Sequence, residues 1–144
     1  MAGGSGSGDC PFVQSFRDQF VAVDLIRIGG DHDGGYLVPD DLEGVEYCFS
    51  PGVARRADFE EQLAHDFAIK TFMADASVSA PPLANPLFSF DQKFLGSRSE
   101  GDFITLSDWV DAKVSDPENT DLILQMDIEG AEFGVLIETP DCAT

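Results

Sequence analysis

The sequence is poor in basic residues, which restricts the partners expected for this protein. Eight Lys and Arg residues stand against 27 Asp and Glu residues, so the formal net charge of the 144-residue chain is −19. A surface of this sign repels phosphate backbones, whereas nucleic-acid binding normally requires the opposite field. The acidic residues are scattered and form no runs, which is typical of a solvated surface. We therefore expect neither a nucleic acid nor an anionic membrane as a partner.

Long apolar runs and closely spaced cysteines are also missing. No apolar stretch approaches the roughly 18 residues that a membrane span needs. Residues 1–8 form a Gly/Ser stretch without basic residues, which indicates a flexible leader and not a signal peptide. Cys10, Cys48 and Cys142 share no close spacing, so the pattern favours neither a disulfide framework nor a zinc site. We expect a cytoplasmic protein with a single domain over residues 9–144, with Cys48 in its core.

The hydrophobic pattern predicts an α/β protein. Hydrophobic residues make up 43% of the chain, which is enough for a core. The order strand, glycine turn, helix, strand and acid is that of a βαβ unit with two parallel strands. No long helix or strand is predicted for residues 76–101, which are rich in Pro, Ser and Gly. The predicted strands are 25–28, 36–38, 45–49, 69–74, 102–104 and 122–126; the predicted helices are 9–23, 55–67, a short one capped at Thr105, and one that opens at Gly130.

A glycine-rich turn joins the first two predicted strands. Residues 29–35 read Gly-Gly-Asp-His-Asp-Gly-Gly, with four glycines among seven residues. Glycine tolerates the positive φ angles of a tight reversal, so the segment predicts a β-hairpin.

A second glycine, Gly52, follows the strand at 45–49. Glycine at this point lets the backbone approach a ligand, and the following helix presents free N–H groups at its start. Asp75 ends the next strand, 23 residues further on, where an acid can accept hydrogen bonds from both ribose hydroxyls of a nucleoside. On spacing alone, a nucleotide site and an α/β domain whose glycine merely turns the chain are equally good interpretations.

Three acids follow the predicted strand at 122–126, in the string Asp127-Ile128-Glu129-Gly130-Ala131-Glu132. In open α/β sheets, ligands bind at the carboxyl ends of the strands. The acids could hold a polar substrate, an amine or a divalent cation. Alternatively, Glu129 and Glu132 are acids favoured at a helix N-terminus, an explanation that covers Asp127 less well.

Taken in order, these motifs resemble the FkbM-type methyltransferase family over residues 25–138. The resemblance implies a Rossmann-like, three-layer fold with a parallel sheet, S-adenosylmethionine as methyl donor, and O-methylation of hydroxyls on sugars or other small molecules. The strings that carry it are Arg27-Ile28-Gly29-Gly30, Asp33-Gly34-Gly35-Tyr36, Phe49-Ser50-Pro51-Gly52-Val53 followed by Asp58-Phe59-Glu60, and Met126-Asp127-Ile128-Glu129-Gly130-Ala131-Glu132.

The resemblance also implies roles for individual residues. Ser50, Gly52 and Val53 would line the methionine portion of the cofactor, and Asp75 would hold its ribose hydroxyls. Asp127 and Glu129 would face the reacting centre, as candidates for the base or for a metal ligand, and Asp127 would also contact the cofactor. The segment expected at the substrate or as a lid comprises Asp33, Gly34, Gly35 and Tyr36. The family's glycine turn often begins with an acid and carries a second glycine; Ser50 and Arg56 stand at those positions here.

Two further expectations concern completeness and rival functions. The resemblance implies about three more strands after Glu138, so we expect a partial domain, truncated after its fourth core strand. The strand at 122–126 would then form an open sheet edge that invites self-association. One rival is a non-catalytic, degenerate Rossmann-like binding module. The other is a nicotinamide-dependent oxidoreductase, against which the absence of a G-x-G-x-x-G string counts.

Overall fold

The computed structural model describes residues 18–53 and 55–138. Within them, no helix has the length and apolarity needed to cross a membrane. The strands are β1 (Leu25–Gly29), β2 (Gly35–Pro39), β3 (Tyr47–Pro51), β4 (Lys70–Ala74), β5 (Phe88–Asp91), β6 (Phe94–Leu95), β7 (Phe103–Ile104) and β8 (Leu122–Leu124). The helices are α1 (Asp58–Phe67), α2 (Leu106–Lys113) and α3 (Glu132–Glu138), with a 3₁₀ turn at Pro117–Asn119.

The central sheet has four strands in the order β5-β4-β3-β8, and every neighbouring pair is parallel. Counted along the chain, this order is third, second, first and fourth, as in the first four strands of doubly wound sheets. The predicted α/β class is confirmed, and the arrangement is compatible with a Rossmann-like fold. As predicted, β8 lies at an edge of the sheet in the described part of the chain.

Strand β3 separates two apolar clusters because consecutive side chains point to opposite faces of a sheet. Cys48 belongs to the cluster that contains Phe59 and Leu63 of α1, and its expected core position is confirmed. Phe49 belongs to the opposite cluster, with Trp109 of α2. The Phe49 and Trp109 rings meet edge to face, 5.0 Å apart. Helices α1 and α2 therefore pack on opposite faces of the sheet.

The predicted hairpin is confirmed: β1 and β2 pair antiparallel, with Gly29 opposite Gly35. Its turn is held by the Arg27 guanidinium, which donates hydrogen bonds to the carbonyls of Gly30 and His32 at 2.7 and 3.0 Å. Gly29 has a φ of 93°, and a Cβ there would lie 2.1 Å from the Gly34 carbonyl oxygen. The turn therefore requires glycine for space as well as for conformation.

Strand β5 is the main element that the pattern did not predict. The third strand of the sheet is Phe88–Asp91, within the stretch that received no long element, and it pairs with β4. The predicted strand at 102–104 exists as β7 but pairs with β6, outside the four-stranded sheet.

Two predicted helices differ from the structure at their bounds. Helix α1 begins at Asp58 and not at residue 55, because the chain first makes a turn in which the Arg56 N–H donates to the Val53 carbonyl. Of the helix predicted over 9–23, residues 9–17 lie outside the described residues; residues 18–19 form a turn and 20–23 are not helical. Cys10 and Cys142 also lie outside the described residues.

Candidate functional site

The carboxyl ends of β3, β4 and β8 meet at Gly52. Its N–H donates a hydrogen bond of 2.8 Å to the Ala74 carbonyl at the end of β4. Its φ is +83°, and a Cβ built on it would lie 2.5 Å from the backbone oxygen of Asp127. Glycine therefore permits both the local conformation and the close approach of the segment that follows β8. Gly52 and Asp127 together border two cavities, which we name after the buried acid of each.

The Asp75 cavity, of about 390 Å³, lies between the ends of β3, β4 and β8. Asp75 is 5% exposed, and its Oδ1 accepts hydrogen bonds from the Ser77 N–H at 2.8 Å and the Ser77 hydroxyl at 2.5 Å. The side chains of Phe94 and Phe103 also line this cavity, with ring centroids 5.6 Å apart. The cavity thus combines a carboxylate with an aromatic wall.

The Glu60 cavity, of about 350 Å³, lies between the hairpin, the start of α1 and the end of β8. The carboxyl groups on its walls belong to Asp33, Asp58, Glu60 and Asp127, and the guanidinium groups to Arg55 and Arg56. Gly52 and Asp127 border this cavity and the Asp75 cavity alike. The two cavities therefore adjoin at the carboxyl ends of β3 and β8.

Tyr36 connects the hairpin to α1 and to the segment after β8 at the Glu60 cavity. Its hydroxyl lies 3.5 Å from Oδ2 of Asp127, and its ring meets Phe59 of α1 edge to face at 5.5 Å. Partial burial and the neighbouring carboxylates, Asp127 first among them, raise the pKa of the Tyr36 hydroxyl. The phenol therefore stays protonated at neutral pH and can donate a hydrogen bond.

Glu60 is the charged residue most deeply buried in the site, with an exposure of 4%. The Ser50 hydroxyl donates a hydrogen bond to Oε1 of Glu60, and its Oγ lies 3.0 Å from Oε1 of Gln125. Burial raises the pKa of the Glu60 carboxyl, while the bond from Ser50 opposes that shift. Motif reasoning gave Glu60 no role. A signal was nevertheless present, because Glu60 shares a helix face with Leu63 and Ala64.

Arg56 holds the hairpin turn against the start of α1. Its Nε lies 2.9 Å from Oδ2 of Asp58, and its Nη1 lies 4.0 Å from Oδ2 of Asp33 in the turn. A Cβ on Gly34 would lie 3.2 Å from Oδ2 of Asp58, so the turn approaches this ion pair closely. Arg56 therefore has partners both in the hairpin turn and in α1.

The acidic string after β8 divides into separate roles. The Glu132 side chain, at the first residue of α3, accepts a hydrogen bond of 2.8 Å from the Ile128 N–H in the segment before the helix. Glu129 is exposed, has a φ of 60°, and lines the Asp75 cavity. Asp127 is exposed and borders both cavities.

The structure brings most of the predicted site residues together around the two cavities, and two lie away from them. Ser50 is fully buried behind the Glu60 cavity, where its hydroxyl contacts two residues that line the cavity, Glu60 and Gln125. Gly35 lies inside the turn, where a Cβ would be 1.9 Å from the Gly30 oxygen. The Glu60 cavity is lined by Asp33, Gly34, Tyr36, Gly52, Val53 and Asp127, and the Asp75 cavity by Gly52, Asp75, Asp127 and Glu129.

Among residues 18–53 and 55–138, no three His, Cys, Asp or Glu side chains cluster closely enough to hold a metal ion. Comparison of the chain with protein-family models, with curated proteins and with solved structures found no significant match.

Proposed function

We propose that this protein binds S-adenosylmethionine and transfers its methyl group to a hydroxyl of a small molecule. The observation that carries the proposal is the meeting of three strand ends at Gly52, in a sheet of order β5-β4-β3-β8, with Asp75 buried at the end of β4. This is the place where doubly wound sheets bind nucleotides. The motif resemblance to FkbM-type methyltransferases supports the same assignment.

The residues of the Asp75 cavity fit the adenosine portion of the cofactor. The Asp75 carboxylate can accept hydrogen bonds from ribose hydroxyls. Phe94 and Phe103, which are 40% and 49% exposed, offer aromatic surface to a flat heterocycle. The cofactor, when bound, supplies a methyl group on a sulfonium. The Gly52–Asp127 contact lies where the two cavities adjoin.

Asp127 is the residue that we assign to the methyl acceptor. Methyl transfer to a hydroxyl requires an acceptor that is held in line with the donor and loses a proton. The Asp127 carboxylate borders both cavities and can take that proton, while Tyr36 can hydrogen-bond the same carboxylate. Glu129, which lines the Asp75 cavity, is the second candidate for the base.

The test compares two cofactor classes. Thermal unfolding should be shifted upward by S-adenosylmethionine or S-adenosylhomocysteine and left unchanged by NAD, since ligands stabilise only the folded state that they bind. Stabilisation by NAD alone would overturn the proposal in favour of a nicotinamide-dependent oxidoreductase. Binding of S-adenosylhomocysteine without methyl transfer to any hydroxyl acceptor would favour a non-catalytic binding module.

A further inference from the structure

Glu60 is a buried carboxylate on the wall of a cavity, and its hydrogen bonds leave its charge uncompensated. A buried ionised carboxylate is unfavourable unless a cation or several donors satisfy it. The Ser50 hydroxyl is the one side-chain donor that the structure gives it within the described residues. The raised pKa of Glu60 has the same origin, since burial outweighs the bond from Ser50. A cationic group of a ligand in this cavity would therefore find a preformed partner.

Two arginines, Arg55 and Arg56, also line the Glu60 cavity. Arg56 pairs with Asp58 at 2.9 Å, and both side chains are partly exposed, at 49% and 43%. Both arginines line the cavity, but neither is ion-paired with the buried carboxylate within the described residues.

Glu60 contacts the strand β3 at Ser50. In the family pattern an acid often begins the glycine turn, and Ser50 stands there in this chain. The Ser50 hydroxyl, however, hydrogen-bonds a carboxylate contributed ten residues later by α1. The negative charge is therefore supplied by the helix and held by the residue that replaces the acid.

We propose that Glu60, held by Ser50, binds the ammonium group at the amino-acid end of S-adenosylmethionine. This inference rests on the proposed function and deepens it. The Glu60 cavity adjoins the Asp75 cavity at Gly52 and Asp127, so one ligand that spans both places adenosine at Asp75 and its amino-acid end at Glu60. A charged hydrogen bond in this buried setting is stronger than a neutral one.

The experiment uses two ligands that differ in the amino-acid end. S-adenosylhomocysteine carries the ammonium group, and 5′-methylthioadenosine lacks the amino-acid end entirely. Calorimetry on Glu60→Gln should show an affinity for S-adenosylhomocysteine reduced by about tenfold to about a hundredfold, the range for a lost charged hydrogen bond. Its affinity for 5′-methylthioadenosine should stay within about twofold of the unmodified protein. The control is Glu61→Gln, which makes the same change at an exposed neighbour on α1 and should alter neither affinity.

The outcomes separate this inference from the proposed function. If the unmodified protein binds neither ligand, the proposed function fails. If it binds both and Glu60→Gln weakens both equally, or weakens neither, Glu60 does not hold the ammonium group and only this inference fails. Ser50→Ala provides a second variant that keeps the carboxylate but removes its donor. It should weaken S-adenosylhomocysteine alone, by less than Glu60→Gln does, and an equal loss for both ligands would count against the inference.

Discussion

The hydroxyl of Tyr36 lies 3.5 Å from Oδ2 of Asp127, although 91 residues separate the two along the chain. Tyr36 belongs to the hairpin and Asp127 to the segment after β8, so the contact joins the two sides of the Glu60 cavity. At 3.5 Å the hydrogen bond is weak, and we expect it to orient Asp127 more than to stabilise the fold.

Tyr36→Phe should reduce methyl transfer by about twofold to about tenfold, which corresponds to one ordinary hydrogen bond. The ring contact with Phe59 persists in this variant, so the free energy of unfolding should change by less than about 0.5 kcal/mol. Steady-state kinetics and urea unfolding on the same preparation measure the two effects. Unchanged turnover would show that the Tyr36 hydroxyl does not orient Asp127.

Asp75→Ala should weaken S-adenosylhomocysteine binding by about 1–3 kcal/mol, because hydrogen-bond partners of the ribose are then unmet. Asp75 also holds the turn to Ser77, so its loss could act through the backbone. Ser77→Ala is the matched control: it removes the side-chain bond to Asp75 and keeps the carboxylate. Calorimetry on both variants decides the role, and an equal loss of affinity in the two would assign Asp75 to the turn alone.

Gly52→Ala should destabilise the protein by about 2 kcal/mol or more, because a Cβ would collide with the Asp127 backbone in addition to straining a positive φ. Gly101→Ala supplies the comparison. Gly101 has a φ of +59°, but a Cβ there would meet no atom within 4 Å. Gly101→Ala should therefore cost only the conformational strain, about 1 kcal/mol. Equal costs in denaturant unfolding would contradict the close packing at Gly52.

Glu60 should make stability depend on pH in a direction opposite to that of most acids. Burial raises the pKa of its carboxyl above the ordinary value of 4.5, so the folded state binds this proton more tightly than the unfolded state does. Its contribution is fully present below that ordinary value and is lost as pH rises through the folded-state pKa. Asp58 raises the same pKa through its charge, and the Ser50 bond lowers it.

Glu60→Gln, which carries no ionisable group, should therefore gain stability over the unmodified protein as pH rises from the ordinary carboxyl value of 4.5 through the raised folded-state pKa of Glu60. Urea unfolding at several pH values measures the difference, with the exposed Glu61→Gln as the control for the change in net charge. A difference between Glu60→Gln and the unmodified protein that does not vary with pH would show that burial does not perturb this carboxyl.

The open edge of β8 should pair with a second copy of the chain, in a way that salt promotes. Leu124 on this strand is 39% exposed, and β8 has one neighbour, β3, within the described residues. A net charge of −19 opposes association, and salt reduces the Debye length from about 10 Å at 0.1 M to about 3 Å at 1 M. Light scattering should show a mass that rises with protein and salt concentration. Leu124→Lys should suppress the rise and Leu37→Lys, at an exposed leucine of the hairpin, should not.

The part of the fold that sequence reasoning could predict is the part with strong periodicity. The strands β3 and β4 each contain three consecutive apolar residues, and α1 repeats apolar residues at helical spacing, so their existence and order followed from the pattern. Strand β5 has only four residues, all half-buried, inside a stretch dominated by loop-forming residues. Its pairing with β4 fixes its conformation, and no local signal reports that pairing.

The candidate site likewise contains residues that the strand pattern could predict and one that it could not. Gly52, Asp75 and Asp127 each follow a predicted strand, and parallel strands bring their carboxyl ends to one edge, so their proximity could be expected. Glu60 could not be placed by that rule, because it lies inside a helix and resembles the acids that are common in a first turn. Its burial depends on packing against Ser50, a contact between two elements that only the folded chain reveals.

The hairpin is anchored to α1 beside the Glu60 cavity. The Gly29 N–H donates a hydrogen bond of 2.8 Å to Oε1 of Gln62 on α1, and the Arg27 guanidinium donates to the Gly30 carbonyl in the turn. Tyr36 packs on Phe59 at the same seam. We expect the hairpin, joined to α1 by these contacts, to move as one unit if the Glu60 cavity widens on this side. A variant that tightens this seam should then slow both the arrival and the departure of a molecule in the cavity, without changing any group that touches it.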